Sequence, residues 1–140
     1  MKIFISLVLS LLLLMLVSCE DKNNNEETLP EFGSISGNID FSGTWPDSGE
    51  VLVTLDTVHP PQGPPAAFAY ITSDNVQNDT YGYNFSNLSF RNYEAITVTY
   101  WPLGYETAGT NYSLIGSYIN SIDLTQGNPN LTIDIDANFN

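Results

Sequence analysis

Two patterns of apolar positions divide the chain. Residues 3–17 form an apolar run interrupted only by Ser6 and Ser10, and from Phe32 onward apolar and polar residues alternate with a period of two. That period puts successive side chains on opposite faces of a strand, so the second region predicts half-buried β-strands. Ile35, Ile39 and Phe41 share one face of a first strand, and Val51, Val53 and Leu55 alternate with Leu52, Thr54 and Asp56 in a second. Phe68, Tyr70 and Thr72 predict a third strand, Tyr81, Tyr83 and Phe85 a fourth, and Ile96, Val98 and Tyr100 a fifth. Tyr112, Leu114 and Gly116 predict a sixth, and Leu131, Ile133 and Ile135 a seventh. The intervening segments carry turn chemistry: 42–49 is rich in Gly, Ser, Pro and Asp, and 58–65 holds four prolines and a glycine. Proline cannot donate to a strand ladder, so 58–65 is expected to be a stiff connector. No segment after Val17 has a helical pattern of useful length. Seven short strands separated by turns predict an all-β domain over 32–140, an antiparallel seven-stranded β-sandwich.

The first apolar run reads differently. Lys2 gives it a positive start, and 15 residues fall short of the roughly 20 needed to span a bilayer, so it is expected to be a cleaved export signal over residues 1–18. Its end, Leu16-Val17-Ser18-Cys19, resembles the lipobox of bacterial lipoproteins. The resemblance implies that the Cys19 thiol is acylated and becomes the first residue of the mature chain, anchoring it to a lipid bilayer. Cys19 is the only cysteine and has no intrachain disulfide partner, which fits a modified thiol.

Residues 19–31 are polar and acidic, a tether with a reach of roughly 20 Å. Glu20 and Asp21 also resemble the signal that sends many Bacteroidota lipoproteins to the cell surface, implying the outer membrane. The formal net charge of −13 repels phosphate backbones and anionic headgroups, which excludes nucleic acid as an expected partner.

Within the β-domain, the segment from Tyr83 to Val98, with Phe85, Leu88 and Tyr93 at its fixed positions, resembles the central signature of the carboxypeptidase regulatory-like, or transthyretin-like, β-sandwich. Gly33-Ser34-Ile35-Ser36-Gly37 is similar to that family's first strand. The resemblance implies that Tyr93 is a structural corner tyrosine. Arg91 departs from the family pattern, which has a glycine there, so the turn before Tyr93 is expected to be remodelled.

Candidate chemistry is sparse. His59 is the sole histidine and lies in the proline-rich connector, so no catalytic residues, no metal site and no cofactor are expected. Asp134 and Asp136 alternate with Ile133 and Ile135, which reads as the solvent face of a strand and not as a calcium loop. Asp56-Thr57-Val58 resembles the short O-glycosylation site of Bacteroidota. If consecutive strands reverse direction, loops 42–49, 73–78 and 101–109 share one end of the domain, opposite the tether. Trp45, Trp101 and Tyr105 then form a candidate ligand-binding patch beside Asp47, Asp74 and Glu106. The expected function is a non-enzymatic, lipid-anchored envelope protein acting as an accessory or adhesion module for another envelope component. The alternative is a glycan-binding surface lipoprotein using that aromatic patch.

Overall fold

A computed structural model describes residues 28–107 and 109–140. Cys19, the export signal and most of the tether lie outside the described residues. The rest is all-β, with ten strands: β1 (Gly33–Gly43), β2 (Glu50–Asp56), β3 (Ala67–Ile71), β4 (Thr80–Leu88), β5 (Arg91–Tyr93), β6 (Ala95–Trp101), β7 (Ser113–Tyr118), β8 (Ile122–Leu124), β9 (Asn130–Thr132) and β10 (Ile135–Phe139). The only helical piece among the described residues is a single 3-10 turn, Ser73–Asn75.

One mixed sheet runs in the order β3-β2-β6-β7-β10-β1-β4, with β9 also paired to β1, while β5 and β8 form a separate two-stranded ribbon. The sheet curls at β7 and β10, which are joined by one registered pair, Gly116 opposite Ala137. Gly116 makes that approach possible, because a Cβ there would lie 2.6 Å from the Asp136 carbonyl oxygen. The curl brings the inward faces together over one core. Val51, Val53, Leu55, Ile96 and Val98 from one arm pack in the same cluster as Ile35, Ile39, Tyr83, Phe85 and Ile135 from the other.

Two departures from the expected antiparallel seven-stranded arrangement have local causes. The segment 130–139 runs back along β1 in the same direction, so both β9 and β10 pair with it in parallel. Between them the expected last strand breaks. Gly37 lies so close to the Ile133 carbonyl that no side chain fits, and the Asp134 carboxylate accepts the Asn38 N–H at 2.8 Å in place of a ladder bond. The second departure is a bulge in β7, where Val98 pairs with Gly116 but Thr99 with Leu114. Leu114 and Gly116, expected on one face, therefore lie on opposite faces, and Ile115 turns toward the core.

Turn chemistry explains the remaining geometry. Asn78 and Asp79 both have positive φ, 50° and 63°, and close a two-residue hairpin through reciprocal Gln77 and Thr80 backbone bonds. Before Tyr93 the left-handed residue is Asn87 (φ 55°), a residue type that tolerates it, so Arg91 sits in β5 without strain. Tyr93 is buried and its hydroxyl donates to the Ser89 carbonyl at 2.9 Å, a structural role.

Candidate functional site

The registers place Gly43, Glu50, Ile71, Thr80 and Trp101 at one end of the sheet, away from the residue that follows the tether. The loops bearing Trp45, Trp101 and Tyr105 therefore share that end. They do not share a face. Trp45 is half-buried against Phe41 and Phe139, with ring centroids 5.2 and 4.9 Å away, and closes the end of the main core. It also lines a depression of about 370 Å³ whose walls include Asp47, Glu50 and Tyr70.

Trp101 lies across the sheet from it. Along β6, Ile96, Val98 and Tyr100 face the core while Thr97, Thr99 and Trp101 face outward. Trp101 is only 9% exposed: it covers Leu52 and packs against Tyr105 at 5.0 Å and Tyr112 at 4.6 Å. Its Nε1–H donates to Thr99 Oγ1 at 2.8 Å, so the indole is used up structurally. Of the three aromatic residues expected to form one patch, the structure brings Trp101 and Tyr105 together and leaves Trp45 apart. The exposed rings of the outward face are ones the sequence marks only as strand positions and not as binding residues: Phe68, 52% exposed, with Tyr70 and Tyr112. On β3 it is the small residues Ala67 and Ala69 that pack inward.

The outward face of β2 and β6 is the floor of a cleft of about 360 Å³. Cross-strand pairs set its rows: Thr54 opposite Thr97, and Leu52 opposite Thr99, flanked on β3 by Phe68 and Tyr70. One end is closed by Tyr105 and Tyr112, the former held by its N–H donating to Glu50 Oε2 at 2.7 Å. The other end is closed by the proline-rich loop, through His59, Pro60, Pro61 and Pro65. That loop is fixed by the His59 N–H donating to Glu94 Oε2 at 2.7 Å, and the Glu94 N–H donating to the Asp56 carbonyl at 2.9 Å.

Polar groups converge at this second end. Asp56 is 4% exposed, and Thr54 Oγ1 donates to its carboxylate at 3.3 Å. The Thr54 and Thr97 hydroxyls lie 2.8 Å apart in a hydrogen bond that either can donate, so the three polar groups form a row from Thr97 through Thr54 to Asp56. Burial raises the Asp56 carboxyl above its usual value, opposed by the Thr54 hydrogen bond and the charge on His59. His59 Nδ1 is buried and has no hydrogen-bond partner among the described residues. Comparison with protein families, curated proteins and solved structures finds no match.

Alternation in the second strand set Thr54 and Asp56 apart from Val51, Val53 and Leu55, and this was the one part of the cleft readable from sequence; that Thr97 and Thr99 lie beside them follows from the pairing of β2 with β6. The roof of the cleft was not readable, because it comes from two loops folding back over that face. Among the described residues, no three His, Cys, Asp or Glu side chains group around a point where a metal ion would sit.

Proposed function

We propose that the chain is a lipid-anchored envelope protein, held through acylated Cys19 at the surface of an outer membrane, whose β-domain is a non-enzymatic accessory or adhesion module. The anchor rests on the contiguous lipobox and the acidic tether that follows it. A transthyretin-like sandwich is the finer reading of the domain, supported by the two arms facing one core and by the Tyr93 corner.

The observation that carries the binding role is the outward face of β3, β2, β6 and β7. It exposes Tyr112 and Leu114 on the wall of the cleft and Phe68 and Tyr70 on the neighbouring β3, a concentration of apolar side chains of the sort that marks an interaction site. Cross-linking on living cells with a tagged copy, followed by purification in mild detergent, is expected to recover one recurring envelope component, and Phe68→Ser with Leu114→Ser to abolish that recovery. Cys19→Ser is expected to move the protein out of the detergent phase; unchanged partitioning would refute the anchor.

A second reading, glycan binding, is favoured by the cleft itself, since its lining mixes aromatic rings with hydroxyls and a carboxylate. In this reading the site is the Trp101, Tyr105 and Tyr112 side of the sheet and excludes Trp45.

A further inference from the structure

We infer that the cleft over β2 and β6 is a subsite for an uncharged saccharide, with Asp56, Thr97, Thr99 and Tyr112 as its contact groups. The inference rests on the glycan-binding reading and narrows it to a site and a ligand class.

Three properties of the lining select that class. The floor strands β2 and β6 each have neighbours on both sides, so their backbone groups are engaged in ladders. An extended peptide, which docks by adding to a free sheet edge, finds no backbone partner on this floor. What the floor does offer is hydroxyls and one carboxylate. Thr97 keeps acceptor capacity beside its contact with Thr54, while Thr99, having accepted from the Trp101 Nε1–H, keeps its hydroxyl hydrogen. A ligand bearing hydroxyls, each both donor and acceptor, can satisfy Thr97, Thr99 and the Asp56 carboxylate together. An acyl chain would leave these groups buried without partners.

The rim supplies the apolar half. Tyr112 stacks one face on Trp101 and is 46% exposed, so its opposite face is open beside the cleft for the C–H face of a sugar ring. At the far end, His59 Nδ1 is a buried polar atom with no hydrogen-bond partner among the described residues, on a residue that lines the same cleft.

Charge decides between sugars. Among the described residues, Asp56 is the only carboxylate of the lining and His59 its only basic side chain, and no lysine or arginine is part of it. Arg91, the sole Lys or Arg among the described residues, sits in the β5–β8 ribbon. A uronic or sialic acid would bring a second carboxylate beside Asp56, where His59 already faces the first and no lysine or arginine among the described residues is near to pair it, which disfavours acidic glycans.

The test uses the full chain in polyoxyethylene detergent micelles, which have no sugar headgroup, on an array of neutral oligosaccharides alongside uronate-containing and sialylated ones. Binding is expected on neutral spots and not on acidic ones. Tyr112→Ala and Thr97→Val are each expected to weaken binding at least about tenfold, as is Asp56→Asn, which keeps the fold by replacing a buried carboxylate with an amide. Trp45→Phe is expected to leave binding unchanged. Equal binding of acidic glycans would overturn the ligand class while leaving the glycan reading intact. Loss on Trp45→Phe with retention on Thr97→Val and Asp56→Asn would overturn the site. If the folded protein binds no glycan while cell cross-linking still captures an envelope protein, this inference and the glycan reading fall together and the adhesion reading stands.

Discussion

Asp56 shows how a buried carboxylate in the proposed site can weigh on the fold. Its carboxyl is desolvated by the loop that roofs the cleft, and the Thr54 hydroxyl and the His59 charge only partly compensate. A carboxyl whose native pKa is raised binds its proton more tightly in the folded state than in the unfolded one. Its contribution to stability is therefore complete below the unfolded value of about 3.9 and is lost as pH rises through the native value. Asp56→Asn is expected to melt at the same temperature as the parent or higher at pH 7, with the difference shrinking toward pH 4. Thermal melts of both proteins across that range check this, and a variant less stable at pH 7 would refute it. Tyr83 is perturbed in the same sense but for structural ends: burial first, then the Asp134 charge, push its phenol up, and the hydroxyl donates to the Ile133 carbonyl at 2.6 Å.

At the scale of elements, the alternation in 51–56 and 96–101 told truthfully which residues face the core, because a strand buried on one face must follow a period of two. It could not tell that β7 changes face half-way. A bulge inserts one residue, Ile115, and reverses the phase, so Leu114 joins the exposed face and Gly116 the interior. Nor could it tell that residues 130–139 would pair in parallel with β1, since pairing partners are chosen by the packing of the whole and not by local pattern. The candidate site was half legible for the same reason. The positions of Thr54 and Asp56 follow from parity, whereas the separation of Trp45 from Trp101 follows from one tryptophan leaving its loop toward the core and the other ending a strand on the outward side. Gly116 is where the element scale is most exposed to mutation. A β-branched side chain there would strike the Asp136 carbonyl and the Ala137 backbone. Gly116→Val is expected to destabilise by about 1–3 kcal/mol, measured by urea unfolding. A loss below about 0.5 kcal/mol would show that β7 and β10 can separate without harm.

For the whole molecule, charge is the dominant property. Twelve acidic residues fall among those described, against Arg91 alone. Self-repulsion of this kind weakens the compact state and is screened by salt over a Debye length of about 10 Å at 0.1 M. Raising sodium chloride from about 0.01 to 0.5 M is expected to increase the melting temperature, and a decrease would refute the repulsion argument. The same field favours uncharged or cationic partners over anionic ones at any face of the domain.

The parallel seating of β10 and β9 beside β1 has a bearing on how the protein folds. The Asn38 N–H meets the Asp134 carboxylate across 96 positions of chain, and Ser34 meets Asn130 at the same separation. β1 is thus flanked by β4 on one side and by strands from about a hundred positions further along the chain on the other. Contacts so distant along the chain form late, because the loop they close must first be brought together. A chain that folds this way keeps β1 open on one side until the segment 130–139 is free to pair with it, so the two arms of the sheet close over the core only at that late step.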